Sequence, residues 1–440
     1  MSNQSGKINA RPTKELFIDM LVKDITLVPA IVDLVDNSVD GARRIREDNY
    51  EGLFISINFS REEFSIVDNC GGIPLDIAEN YAFRFGRPKE MKHIPGSLGR
   101  FGIGMKRAIF KIGNWFRIES CTNKSKFSVE VDVSEWKNDP ENWTFAFQDL
   151  EENKEQDKVN IGTRIKISDL HENIKSEFAL ANFQTKLIRN IEDQHLRNIE
   201  NGLSISVNGI ALSHDPIEIL ESNEIKPMYY EEVFEGKSIP DKLNVRMYSG
   251  ISESDPNKAG WYVFCNGRLI LGADQTETTG WGEKGGITIP RFHNQYARFR
   301  GFVFFDSENP KMLPWNTTKT DVDADSSYYR KIRLKMIQMM RPVIDFLNLV
   351  DAENDLEDPD ERVLQKELNK SKLKRLTEVE TTARFVIPDI ESRPSKPGMG
   401  RISYKKPIEE IKLIQDMLNV STYKDVGVKT FEYFIEMEVD

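Results

Sequence analysis

The chain has 440 residues, 39% of them hydrophobic, and a formal net charge of −11 at pH 7. This length accommodates two or three domains with hydrophobic cores, and the acidic balance excludes a surface that coats nucleic acid throughout. Three scattered cysteines exclude a zinc site or a closed disulfide set, which favours a cytoplasmic location, and no apolar run reaches the roughly 18 residues of a membrane span.

An amphipathic helix is predicted for residues 13–23, after the polar residues 1–12. Its apolar side carries Leu16, Phe17, Met20 and Leu21. The simplest role for such a helix is packing on its own domain.

The next predicted helix carries an acidic stripe. Asp33, Asp36, Asn37 and Asp40 fall at positions i, i+3, i+4 and i+7, which lie on one helical face. Like charges at this spacing repel unless positive charge lies among them. Because hard oxygen ligands suit Mg²⁺, a divalent cation is the economical explanation, and a solvated acidic face is the alternative.

A β-hairpin is predicted from two β-type runs, residues 54–59 and 64–67, whose second strand ends at Asp68. A carboxylate there can accept a hydrogen bond from the exocyclic amine of adenine. Gly71 and Gly72 follow, and they allow the backbone to pass close to a flat ring. The alternative for Asp68 is an ordinary turn-forming aspartate.

A glycine motif, Gly99, Gly102 and Gly104, leads into a predicted helix at residues 105–112, after a basic stretch between residues 83 and 96. Glycines let backbone N–H groups point inward, and a helix N-terminus favours phosphate. Lys106 and Arg107 follow the third glycine, and a solvated helix face is the plain interpretation of both.

Taken in order, and with the segment Ile161-Gly162-Thr163 after them, these motifs resemble the GHKL ATPases: gyrase B, MutL, the MORC proteins, the heat-shock chaperone ATPases and the histidine kinases. The resemblance is strong over residues 15–170 and looser to about residue 345. Later strands, Asn-Gly turns and a long predicted helix at 328–349 resemble the transducer domain of MutL, MORC and gyrase B.

The resemblance implies ATP and Mg²⁺ as cofactors and assigns roles to particular residues. Asn37 would hold magnesium, Lys319 would reach the γ-phosphate from a transducer loop, and Asp33 would be the general base where most relatives have glutamate. The nucleotide would be bound by Asn37, Asp40, Asp68, Gly72, Gly99, Gly102, Gly104, Lys106 and Thr163. The alternative for Lys319 is a surface lysine in a polar turn.

The expected fold class is α/β, an α+β sandwich with a mixed, mainly antiparallel sheet. A Bergerat-type GHKL domain is expected at 1–170 and a smaller α/β transducer domain at 171–350. A charged helix at 361–376 with flanking linkers would follow within 351–400. A small helical module is expected at 401–440, with one amphipathic helix at 407–418 and two short helices after Ser421.

The expected function is ATP binding with slow Mg²⁺-dependent hydrolysis, coupled to closure of a homodimer through an N-terminal arm and the lid at 75–98. DNA, or DNA-processing or defence proteins, are the expected partners, with no role at a membrane. The alternative is a non-hydrolysing scaffold that ATP switches, because Asp33 is one methylene shorter than glutamate. A histidine kinase is disfavoured because a transducer lysine has no place in one.

Overall fold

The computed structural model describes residues 13–23, 25–46, 49–85, 103–214, 216–236, 241–316, 319–356, 361–388 and 405–438. The chain divides into two compact units, Met1–Pro388 and Asp389–Asp440. Gly99 and Gly102, the arm at residues 1–12 and most of the predicted lid lie outside the described residues.

The α-helices of the first unit are α1 (Lys14–Lys23), α2 (Leu27–Ile45), α3 (Leu75–Ile77), α4 (Gly104–Ile112), α5 (Val133–Asn138), α6 (Glu172–Phe178), α7 (Phe183–Glu200), α8 (Ser327–Ala352) and α9 (Val363–Lys370). Helix α3 continues as a π-helix at Ala78–Ala82, and 3₁₀ turns lie at Lys158–Asn160, Glu277–Thr279, Asn294–Tyr296, Pro310–Met312 and Glu353–Asp355.

The strands are β1 (Phe54–Phe59), β2 (Phe64–Asp68), β3 (Gly113–Cys121), β4 (Lys126–Asp132), β5 (Phe147–Glu151), β6 (Gly162–Leu170), β7 (Ser204–Val207), β8 (Ile210–Ala211), β9 (Glu218–Glu221), β10 (Met228–Glu235), β11 (Lys242–Ile251), β12 (Gly260–Cys265), β13 (Arg268–Asp274), β14 (Phe299–Asp306) and β15 (Lys372–Arg375).

The first sheet has the strand order β5-β4-β3-β6-β2-β1-β7-β8. The predicted hairpin is confirmed: β1 and β2 pair antiparallel, with Ile55 opposite Asp68 and Phe59 opposite Phe64. Strand β7 joins the other side of β1 in parallel, so the sheet is mixed and mainly antiparallel, as expected. Strands β7 and β8 lie beyond residue 170, and this sheet therefore draws on the segment that the sequence assigns to the second domain.

Helix α2 is buried on almost every side. Val32, Val35 and Val39 are fully buried, and the carboxylates of Asp33 and Asp36 are buried as well. A helix enclosed in this way cannot leave its acidic stripe to bulk water. The stripe must find positive or hydrogen-bonding partners within the protein or its ligands.

The second sheet has the order β10-β11-β14-β12-β13 and packs against α8. Its parallel pair β12 and β14 carries stacked Phe264 and Phe304, whose ring centroids are 4.9 Å apart. The predicted Asn-Gly turn joins β12 to β13, with left-handed φ values of 46° at Asn266 and 70° at Gly267. This turn places Arg268 at the first position of β13.

The predicted charged helix at 361–376 is wrong in its second half. Helix α9 ends at Lys370, and β15 then pairs antiparallel with β9, Leu373 lying opposite Leu220. Pairing with an available strand edge outweighs the helical preference of this short segment.

The second unit, described by itself over residues 405–438, contains α10 (Ile408–Leu418) and α11 (Tyr423–Glu438). Asn419 ends α10 in the left-handed conformation, with φ of 51°. The chain from Ser421 onward was expected to form two short helices, but α11 runs through Gly427 as one helix. Among the described helices of the chain, none is long and apolar enough to cross a membrane.

Candidate functional site

Asp68 ends β2 as a buried acceptor, only 8% exposed. Its Oδ2 accepts a hydrogen bond from Ser38 Oγ at 2.6 Å, and its Oδ1 accepts from the backbone N–H groups of Cys70 at 2.9 Å and Thr163 at 3.2 Å. Burial raises the pKa of Asp68, and these three bonds oppose the rise. A carboxylate has about four acceptor positions, so the arrangement leaves room for one further donor.

Glycines around Asp68 allow backbones to approach closely. A Cβ on Gly72, whose φ is +68°, would lie 2.2 Å from the Cys121 carbonyl oxygen, and one on Gly162 would lie 1.9 Å from the Asp68 carbonyl oxygen. A Cβ on Gly41 would likewise lie 2.4 Å from the Cys70 carbonyl oxygen, so α2 also passes close to that backbone. Any side chain at these positions would separate the elements that surround Asp68.

The acidic stripe of α2 is neutralised by protein cations. Asp33 forms an ion pair with Arg107 at 2.6 Å and another with Lys319 at 3.3 Å. Lys319 also contacts Asp36, at 2.5 Å, and Arg268 donates a second hydrogen bond to the same oxygen of Asp36. Within the described residues, no group of three or more His, Cys, Asp or Glu side chains is arranged to hold a metal ion.

Asp33 is ionised and firmly held. Burial opposes its ionisation, but Lys319 and Arg107 outweigh this effect and keep the pKa of Asp33 below its ordinary value. Gly104, the first residue of α4, lies against it, because a Cβ there would be 3.2 Å from the Asp33 carboxylate. Because its pKa is lowered, the Asp33 carboxylate is a weaker proton acceptor in this arrangement than a free carboxylate.

Lys319 reaches the stripe from the segment between β14 and α8. It is 7% exposed, and its backbone is in the left-handed region with φ of 54°. Burial lowers the pKa of Lys319 to about 8, although the charge of Asp33 opposes that shift. The alternative of a solvated surface lysine is therefore wrong for the position of this side chain.

A second layer of side chains lies behind Asp36. Arg268 donates to Gln194 Oε1 at 2.7 Å, and His195 Nε2 lies 3.4 Å from Asp36 Oδ1. Burial lowers the pKa of His195 to about 3, so its ring is neutral. Asn198 lies 3.1 Å from the other ring nitrogen of His195. Helix α7 thus contributes the side chains that contact Arg268 and lie beside Asp36.

Part of the chain matches a family model. Residues 25–163 match the family described as histidine kinase-, DNA gyrase B-, and HSP90-like ATPase. The match supports a GHKL-type ATPase domain. It includes Asp33, Asp68 and Thr163, whereas Arg268 and Lys319 lie beyond it. A search of curated proteins found no match.

Asn37 has the chemistry of a ligand for a hard cation. It is the exposed member of the stripe, and its amide nitrogen donates to the Asp33 carbonyl at 2.9 Å. The amide oxygen is therefore the atom suited to a hard cation. Mg²⁺ commonly takes one or two protein oxygens and completes its shell with phosphate and water. Asp40, one turn further on, is 8% exposed and its charge acts on Lys319.

Lys106 is buried rather than on a solvated helix face, and so is Arg107. The Lys106 ammonium donates to the Ala82 carbonyl at 2.8 Å, at the end of the π-helix. Burial lowers the pKa of Lys106 to about 7. In this arrangement the side chain ties α4 to Ala82, which lies within the predicted lid at 75–98.

Sequence reasoning missed several residues of the candidate site. Ser38 and Gly162 contribute to the surroundings of Asp68. The sequence carries a signal for both, because Ser38 directly follows Asn37 and Gly162 lies in the segment Ile161-Gly162-Thr163. Arg268 and His195 had no such signal. Each is a single polar residue in an otherwise ordinary strand or helix, and only the tertiary fold brings them to Asp36.

Lys106→Met should stabilise the nucleotide-free protein near neutral pH and flatten the rise in its stability above pH 7. Burial lowers the pKa of Lys106 from 10.5 to about 7. Between these values the unfolded chain binds more protons than the native chain, so this lysine makes the free energy of unfolding increase with pH. Thermal melts across this pH window measure the effect, with Lys124→Met in an exposed turn as control. If the stability of the Lys106→Met protein rises with pH as steeply as that of the wild type, Lys106 does not have the lowered pKa from which the effect is expected.

Proposed function

We propose that the GHKL domain binds Mg²⁺ and ATP, and that the domain built on the second sheet is a MORC/MutL-like transducer that delivers Lys319 to the γ-phosphate. One observation carries the proposal. Lys319 lies 286 residues beyond Asp33 in the chain, yet its ammonium group contacts both Asp33 and Asp36. A cation inserted there is placed to exchange a carboxylate for a phosphate oxygen.

The nucleotide would lie along the exposed side of α2. Asp68 would use its remaining acceptor position for the adenine amine, and Thr163, whose backbone N–H donates to Asp68, would line the same pocket. Asn37 would contribute its amide oxygen to magnesium. The phosphates would meet the N-terminus of α4 at Gly104, with the dipole of that helix and the glycines 99 and 102 before it. Lys106 would join them if its contact with the Ala82 carbonyl opens.

Hydrolysis would follow once Lys319 transfers to the γ-phosphate. Asp33 then loses one of its two cations, so its pKa rises and it becomes a better proton acceptor. A water oxygen bonds to the γ-phosphorus as the bond to the β–γ bridging oxygen breaks. ADP leaves with the electron pair, and Asp33 takes the water proton. Bound magnesium would supply further neutralisation of the phosphate charge.

A non-hydrolysing switch is the second candidate, and a specific observation favours it. Asp33 has a shorter reach than glutamate and is anchored to Arg107 at 2.6 Å. A displacement of about 1 Å can cost on the order of 100-fold in rate. If the carboxylate stays on Arg107, ATP binding and closure would proceed without rapid turnover, and the protein would act by recruiting a partner.

Closure would join two copies of the chain. The exposed apolar side chains of α1, Leu16 at 53% and Met20 at 65%, lie directly after the arm formed by residues 1–12 and suit a contact with a partner subunit. DNA, or proteins that process DNA or act in defence, remain the proposed clients on the strength of the MORC/MutL resemblance.

Sedimentation tests the proposal. With Mg²⁺ and a non-hydrolysable ATP analogue, the protein should sediment as a dimer, and with ADP as a monomer. Lys319→Ala should weaken the dimer, because its ammonium links the second domain to the γ-phosphate. Deletion of residues 1–12 should weaken it as well. Lys311→Ala removes an exposed lysine from the same region and serves as control. A monomer under every nucleotide condition would refute the closure model.

A further inference from the structure

Two buried carboxylates of α2 share three cations. Asp36 is 1% exposed, and its Oδ2 accepts from Lys319 and from Arg268. Asp33 is shared between Arg107 at 2.6 Å and Lys319 at 3.3 Å. Lys319 is thus common to both carboxylates, whereas each arginine pairs with one of them.

Arg268 is also held in place by a side chain of α7. Its other terminal nitrogen donates to Gln194 Oε1 at 2.7 Å on α7, and it is itself 1% exposed. It also begins β13 directly after the tight Asn266-Gly267 turn. A guanidinium held by a strand, a turn and a helix has little freedom to follow a ligand, unlike the long flexible side chain of Lys319.

We propose that Arg268 is a positioning residue, which keeps Asp36 neutralised and thereby frees Lys319 for the γ-phosphate. This inference rests on the proposed function. When Lys319 leaves, Asp36 keeps Arg268 and Asp33 keeps Arg107, so neither buried carboxylate loses its last cation. Removing the last partner of a buried charge is strongly unfavourable, so a site without Arg268 would retain Lys319 on Asp36.

The consequence is selectivity for the triphosphate. Lys319 would contact a group that ATP has and ADP lacks, and a charge-assisted hydrogen bond of this kind corresponds to about 10-fold or more in affinity. The wild-type protein should therefore bind a non-hydrolysable ATP analogue at least about 10-fold more tightly than ADP. Arg268→Gln should reduce this ratio to within about twofold while the affinity for ADP stays unchanged.

Two further variants separate positioning from general damage. Arg268→Lys retains a cation at Asp36 and should keep most of the preference for the ATP analogue. The double variant Asp36→Asn with Arg268→Gln removes both charges, so Lys319 no longer has Asp36 to hold it, and the preference should return. A merely structural role of Arg268 predicts no such recovery.

The experiment is calorimetric titration of each full-length variant with Mg²⁺ and either ADP or the ATP analogue, with thermal melts to verify folding. The inference is overturned if Arg268→Gln prefers the ATP analogue over ADP as strongly as the wild type does. It is also overturned if the double variant does not regain this preference. Either result leaves ATP binding itself intact. If Arg268→Gln fails to fold, Arg268→Lys and the double variant decide by the same ratio. A wild-type protein that binds neither nucleotide instead refutes the proposed function, and this inference with it.

Discussion

Asp68→Asn is expected to lower the affinity for ATP by on the order of 100-fold. The asparagine keeps the size of the side chain but loses the charge, and it turns one acceptor atom into a donor. Ser38 Oγ and the N–H groups of Cys70 and Thr163 would then compete for a single acceptor oxygen. A charge-assisted hydrogen bond to adenine contributes about 1.5–3 kcal/mol, the upper end of which is about 100-fold.

The same substitution should relax the choice of base. A carboxylate repels the carbonyl oxygen that guanine has in place of the adenine amine, whereas an amide nitrogen can donate to it. Competition between ATP and GTP measures this change. Asp149→Asn is the matched control, because Asp149 also accepts from a serine hydroxyl, Ser128 at 2.8 Å, but on the edge strand β5. Equal ATP affinity in wild type and Asp68→Asn would remove Asp68 from the nucleotide site.

Asp33→Asn is expected to abolish turnover, with a loss on the order of 100-fold or more, while ATP stays bound. General base catalysis typically contributes about 10²–10⁴-fold in rate, and the amide removes the proton acceptor without changing its size. Asp33→Glu should retain or raise the rate, because it restores the reach of the glutamate in relatives. Phosphate release under saturating Mg²⁺ and ATP measures both rates.

Stability provides an internal check on the Asp33 variants. Asp33→Asn takes from Arg107 the carboxylate with which it pairs and leaves Lys319 paired with Asp36. The nucleotide-free protein should therefore melt at a lower temperature than the wild type. Asp33→Glu keeps the charge and should melt closer to the wild type.

Turnover that survives Asp33→Asn would exclude Asp33 as the base. No turnover in the wild type, with binding and closure intact, would favour the switch.

Local signals predicted much of the fold over residues 25–163. The hairpin that ends at Asp68 and the helix that begins at Gly104 follow from strand alternation and glycine placement, and both are present in the structure. The helical spacing of Asp33 and Asp36 correctly placed two carboxylates on one face. Such spacing shows that a positive partner is needed, because like charges repel.

Spacing could not show which partner the stripe finds. Arg268 lies 232 residues from Asp36 along the chain, and no periodicity in β13 distinguishes it. The same limit applies to β7, whose parallel pairing with β1 depends on a long connection through α6 and α7, and to β15, whose edge pairing displaced a predicted helix. These features depend on which surfaces the folded chain brings together.

Calorimetric titration of the wild-type protein with ATP, in the presence of Mg²⁺ and again with the metal chelated, is the decisive test of nucleotide binding. We expect one ATP bound per chain with magnesium present, much weaker binding without it, and a matching loss in Asn37→Ala even when magnesium is present. No binding of ATP by the folded wild-type protein, or binding indifferent to both magnesium and Asn37→Ala, would contradict this expectation.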